Sequence, residues 1–163
     1  MPSTRKIVVA AQVSADTILT GANLNGLANA SLFLGSAYDN TQGASGDGYR
    51  YAQVEGLFDL VGTVAIYTTF VLWFVPASDG TNYADGSSSV TPARPPDVAF
   101  VLRGVTGAHS QRVVGLGKGS DQRVELPPGL WKPLIRNSSG SALVASATSS
   151  VKIRRWTDQG VSS

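Results

Sequence analysis

The 163-residue chain has no cysteine, a single histidine and a charged fraction of only 15%. Without cysteine there is no disulfide staple, no thiolate metal site and no cysteine nucleophile. The lone histidine, His109, lies in Gly107-Ala-His-Ser110, which has the composition of a loop and leaves it a solvent-exposed spectator. No serine sits in a Gly-x-Ser-x-Gly elbow, so no hydrolase triad is signalled. So little charge, against about 25% in ordinary soluble domains, implies a surface of Ser, Thr, Asn and Gly, or one partly buried in an assembly. A net charge of +2 argues against nucleic acid as the partner. A pI near 9.1 still permits a local basic patch. No apolar run approaches the ~20 residues of a membrane-spanning helix. The apolar start, Ile7 to Ala11, is shorter than a secretory h-region and reads as a first strand, so synthesis in a cytoplasm is expected.

What is present centres on Val64 to Val75, VAIYTTFVLWFV. Its β-branched and aromatic side chains lose rotamer freedom in a helix and sit well on a pleated surface. In a strand, Ile66, Thr68, Phe70, Leu72 and Phe74 line one face, and Tyr67, Thr69, Val71, Trp73 and Val75 the other. Both faces are largely apolar, the pattern of a central strand whose outer face meets a neighbouring subunit or layer.

Around it run short apolar segments divided by Gly, Pro, Ser and Asn. Strands are expected at Asp16 to Thr20, Ser31 to Gly35, Tyr49 to Val61, Asp97 to Arg103, Gln111 to Leu116, Arg123 to Leu126, Leu130 to Arg136, Ala142 to Ala145 and Val151 to Trp156. Residues 22–30 read as a loop with at most a helical turn, and Asp39 to Gly48 as an exposed loop. Thr91 to Pro96 carries three prolines and must cross the surface outside any ladder. The fold class is therefore all-β and antiparallel, a β-sandwich of jelly-roll type. One domain spans 1–163, with an extended or loosely packed N-terminal third.

Candidate sites reduce to modest features. Gly115 to Ser120 lacks the Gly-Lys-Ser/Thr ending of a phosphate loop and reads as a hairpin turn. Asp79, Asn82 and Asp85 could gather round calcium, but Asx capping of their own turn explains them. Lys152, Arg154, Arg155 and Trp156 form a basic aromatic cluster, read as a charged edge strand or one pairing with a neighbour's acids. Asn29 and Asn137 begin glycosylation triplets that carry no weight without a secretory signal. No catalytic, cofactor-binding or metal-ligating residue is assigned.

Three stretches carry a family resemblance: Asp79-Gly-Thr-Asn-Tyr83, Ala93-Arg-Pro-Pro-Asp97, and Leu126-Pro-Pro-Gly-Leu-Trp-Lys through Asn137-Ser-Ser-Gly140. Over roughly residues 64 to 156 the chain resembles small structural proteins of tailed bacteriophages. The resemblance implies a non-catalytic part of the virion, a capsid decoration or cement protein bound to the major capsid protein and to copies of itself, such as in a trimer. Alternatives are a head–tail or tail component, and a carbohydrate-binding jelly roll stacking sugars on Trp73, Trp131 or Trp156. Tyr67, Trp73, Trp131, Arg154, Arg155 and Trp156 are the candidate protein–protein contacts, with no cofactor and no membrane partner.

Overall fold

A computed structural model describes residues 6–9, 15–41, 49–77, 79, 81–83, 86–118, 121–146, 148–156 and 158–161. Its elements are β1 (Lys6–Val9), β2 (Asp16–Leu19), a helical turn α1 (Gly21–Leu24), β3 (Leu32–Leu34), β4 (Tyr38–Asp39), β5 (Tyr51–Leu60) and β6 (Thr69–Pro76). There follow β7 (Val98–Val101), β8 (His109–Val114), β9 (Val124–Glu125), β10 (Leu130–Ser138), β11 (Ser150–Trp156) and β12 (Asp158–Val161). One sheet has the order β3-β10-β6-β7 with β4 also on β10, the other β2-β11-β5-β8 with β9 also on β5. All pairings are antiparallel, and five are nested: β1 with β12, β2 with β11, β3 with β10, β5 with β8, and β6 with β7. The chain is thus doubled back on itself about the β6–β7 connection. The β10–β6 and β11–β5 pairings then join the doubled chain into two sheets.

The sheets face each other as a β-sandwich. Phe58 of β5 stacks on Phe70 of β6 with ring centroids 4.0 Å apart, and meets Phe100 of β7 edge-on at 5.2 Å. Such ring pairs add to the area buried, the main stabilising term. Gly115 allows the closest approach, since a Cβ there would lie 2.3 Å from Val98 Cγ1. Reciprocal Ala99–Leu116 backbone hydrogen bonds of 2.8 Å tie the edge of β7 to the residues after β8. That bridge covers part of the β7 edge.

Phe70, Leu72 and Phe74 do point inward from β6, and Trp73 and Val75 outward into a second apolar cluster with Leu134. The strand starts later than expected, however, because residues 65–68 form a turn. The N-terminal third is not loosely packed over residues 15–41. It supplies β2 and β3 to opposite sheets, and Ile18, Leu19, Leu24 and Leu27 to the core. Residues 151–156 are no edge strand, since β11 pairs with both β2 and β5. Ala142 to Ala145 makes only a single bridge, Leu143 to Leu60, and His109 opens β8 rather than lying in a loop. Residues 10–11, 42–48, 85 and 119–120, on which other expectations fell, lie outside the described residues.

Candidate functional site

Two of the three motifs that carried the resemblance build a cover over the outer face of β6. The β6–β7 connection folds back across that face. At its start Asp79 accepts hydrogen bonds from the Asn82 N–H (2.6 Å), the Thr81 N–H (2.9 Å) and the Asn82 side-chain amide (2.6 Å), which lower its pKa to about 2. Asx capping thus accounts for Asp79 and Asn82. Tyr83 packs on the Trp73 cluster, with Lys132 Nζ 4.1 Å from its ring centre. At the far end Arg94 binds both Asp97 oxygens at 2.8 Å and donates to the Phe74 carbonyl at 2.7 Å, while Asp97 accepts the Phe74 N–H at 2.8 Å. These side chains serve Phe74 as a ladder partner would, beside prolines that have no N–H to offer. Trp73 Nε1 donates to the Arg94 carbonyl at 3.1 Å, and Trp73 is only 3% exposed.

The third motif is equally structural. Trp131 is fully buried between Tyr38 and Phe74, each with its ring centre 4.7 Å away. Buried Asn137 donates to the Leu27 and Ser141 carbonyls (2.9 and 2.8 Å) and accepts from the N–H and hydroxyl of Ser139 (3.0 and 2.7 Å). All four side-chain hydrogen-bonding positions are filled, and the folded chain offers nothing there to glycosylate.

Of the six candidate contacts, Trp73 and Trp131 are therefore interior residues of one chain, correcting their assignment as interface or sugar-stacking side chains. Arg155 is also committed. Its guanidinium donates to Asp16 at 2.7 Å and lies 5.1 and 4.5 Å from the ring centres of Tyr38 and Tyr49. The Tyr38 hydroxyl donates to the same Asp16 oxygen at 2.6 Å. Burial, then that hydrogen bond, raises the Tyr38 pKa above the phenol range. The group latches β2 and β11 of one sheet to β4 of the other. Trp156, half-buried beside Tyr51 at 6.4 Å, and exposed Arg154 remain accessible on the outer face of the β11–β5 sheet.

Tyr67 alone lies where apolar surface gathers. Among the described residues the exposed large hydrophobics are Val61 (51%), Ile66 (63%), Tyr67 (76%), Val90 and Val105 (36%). All but Val90 belong to the β5–β6 and β7–β8 connections, which meet at one end of the sandwich. Val64 and Val105 exchange both backbone hydrogen bonds, at 2.9 and 3.0 Å, and Gly107 donates to Thr63 Oγ1 at 3.2 Å. Ile66 and Tyr67 form the corners of a turn closed by the Thr68 hydroxyl on the Ala65 carbonyl at 2.9 Å. Tyr67 has φ of +66°, a value that turns normally assign to Gly or Asn. Its N–H still reaches the Leu102 carbonyl at 3.3 Å, so the corner is held in the ladder. Ile66 was assigned to a strand face because this turn contains none of the usual turn residues; Val61 and Val105 lie beside Gly62 and Gly104 in the adjoining connections.

The His109 Nδ1 lies 2.7 Å from the Gly107 carbonyl, and Nε2 lies 2.8 Å from the Gln111 amide nitrogen. Gln111 is oriented by the Arg103 N–H and carbonyl, each at 2.9 Å, so the imidazole is the Nδ1–H tautomer in a structural role, not a spectator. A cleft of about 230 Å³ is lined by Tyr51, Asp97, Lys118, Asp121, Arg123, Val124 and Glu125. Its carboxylates are all in ion pairs, with Arg94, Arg123 and Arg50 respectively. No protein-family model matches the chain, and neither the curated proteins nor the solved structures provide a match.

Proposed function

We propose that the protein is a non-catalytic component of a bacteriophage virion, a capsid decoration protein that binds the major capsid protein across subunit junctions and associates with copies of itself. In this reading the nested strand pairing is the rolled hairpin of a jelly roll, an architecture used in viral shells. The observation that carries the reading is the apolar end of the sandwich. Four of the five large hydrophobic side chains exposed among the described residues gather there, as suits a subunit that docks end-on. The motifs behind the resemblance serve the scaffold instead, two of them over the C-terminal half of β6 and the third in β10.

The test is copy number in purified particles, by quantitative mass spectrometry. A decoration protein occupies hundreds of sites, whereas a head–tail or tail component is present in about a dozen copies or fewer, following the symmetry of the tail axis. Absence from the particle would end the virion reading. A sugar-binding role is left with Trp156 alone as a stacking platform, since Trp73 and Trp131 are buried.

A further inference from the structure

We infer that the apolar end is an anchor for a different protein, one offering an apolar pocket with an acidic rim, and is not the contact between copies of this chain. The inference rests on the decoration reading, in which that partner is a capsid subunit.

The first argument is area. Val61, Ile66, Tyr67 and Val105 together expose on the order of 400 Å², the size of patch that is often functional on a monomer. A stable interface needs about 800 Å² from each partner. Two such ends placed face to face would bury only about half of that, the range of adventitious contacts. A concave partner also covers the polar residues around these side chains, so it buries more of this chain than a second convex end can, and the four act as hot-spot anchors at its centre.

Charge gives the second argument. Arg103 is the only charged residue in segments 61–68 and 102–108. It is exposed, and its side chain has no ion-pair partner among the described residues, while its backbone is held by Gln111. Two copies docked through this end would bring like charges together, which disfavours self-pairing. A carboxylate beside the pocket would complement it.

The third is rigidity. The Ala65–Thr68 turn, the Tyr67 N–H to Leu102 bond and the Val64–Val105 pair fix the knob before any partner arrives. A preformed anchor loses little conformational entropy on binding. Holding a tyrosine at positive φ in an exposed turn, where Gly or Asn would be easier, fits a position kept for its ring.

The test measures binding of the full-length protein to shells assembled from the major capsid protein of the same phage, and, separately, its self-association by sedimentation. Tyr67→Ala is expected to bind at least ~30-fold more weakly, as for a hot-spot residue. Tyr67→Phe should stay within about 3-fold of wild type, and Arg103→Glu should lose about 10-fold with an altered salt dependence. The oligomeric state of Tyr67→Ala should equal that of wild type, and its melting temperature reports whether it folds. Wild-type binding matched by Tyr67→Ala would overturn the anchor and leave the decoration role standing. Loss of self-association in Tyr67→Ala would make a second copy the occupant and overturn the inference. If wild type failed to bind the shells, the decoration role and the capsid pocket would fall together.

Discussion

Replacing Trp73 by alanine tests whether the outer face of β6 belongs to the monomer or to an assembly. A two-faced apolar strand is compatible with either, and the difference is measurable. Trp73 is 3% exposed and packs with Val75, Leu134 and Tyr83 beneath the β6–β7 connection, where its indole N–H is bound to Arg94. A buried tryptophan removes roughly 150–250 Å² from water, about 4–6 kcal/mol at 25 cal/mol per Å². That is an upper bound, because the unfolded chain already shields part of the ring. Measured truncations of buried aromatics fall at about 3–5 kcal/mol, and the lost hydrogen bond is part of the same change. Trp73→Ala is thus expected to cost about 4 kcal/mol, out of the 5–15 kcal/mol typical of a folded domain.

Phe74→Ala, on the inner face against Trp131, should cost a similar amount because its ring is equally enclosed. Urea unfolding of both variants at two protein concentrations is the assay. The expected result is equal losses within about 1 kcal/mol, with an unchanged m-value and no concentration dependence. A Trp73→Ala cost below about 1 kcal/mol, or one that appears only at the concentration where subunits associate, would show that another chain covers Trp73 and that the fold-back cover is not formed in the free protein.

Four other outcomes follow from particular residues. At position 67 the glycine variant should be more stable than the alanine variant by about 1 kcal/mol, reversing the usual strand order, since only alanine meets the left-handed penalty; equal melting temperatures would place this residue outside that region in solution. Tyr38 keeps its proton in the fold above the pH of about 10 at which an unfolded tyrosine ionises, so its contribution is complete below that pH and is lost as pH rises towards the folded value. Stability should therefore fall more steeply above pH ~10 in wild type than in Tyr38→Phe, by thermal melts across the alkaline range. Asp79 has the opposite sign: its folded pKa is about 2 against an ordinary 3.8, so the contribution of its turn is present above 3.8 and lost as pH falls towards 2. An NMR carboxyl titration midpoint near 4 would mean that the turn is open. Asn137→Ala should cost about 2 kcal/mol, because it strands the Ser139 N–H and takes one donor each from the Leu27 and Ser141 carbonyls, which keep the Leu143 N–H and the Ser139 hydroxyl; a loss under 1 kcal/mol in chemical denaturation would contradict that network.

Alternation made much of the sandwich legible before any coordinates. The inward set Phe70, Leu72, Phe74 and the set Val98, Phe100, Leu102 follow from period two alone, because a pleated strand leaves no other choice. Short elements were harder. With four and three residues, β2 and β3 are too brief to show a period, so Leu19 and Leu24 did not reveal that the N-terminal third closes the core. The position of β11 was misjudged for a related reason. Alternating cations mark a strand with one wet face equally well at an edge or inside a sheet, and only the pairing with β2 decides between them. The candidate site was least legible, since Tyr67 was placed on a strand face and the turn that exposes it lacks Gly, Pro and Asn.

The same comparison separates the residues that specify this fold from those that could recognise a partner. Asp79, Arg94, Asp97, Trp131 and Asn137 are conspicuous because turns, prolines and buried polar groups each demand a particular side chain, and each spends its hydrogen bonds or its surface inside the molecule. A group already satisfied in this way has little left to offer another protein. Val61, Ile66, Tyr67 and Val105 answer to no such internal demand, and at the end of the sandwich a polar residue would serve folding as well. In the decoration reading proposed above, their hydrophobicity is kept for a partner. Replacing Ile66 and Val105 together by serine should leave the melting temperature nearly unchanged while removing attachment to the shell. A large loss of stability in that double variant would instead return these residues to the core and leave the protein without an anchor.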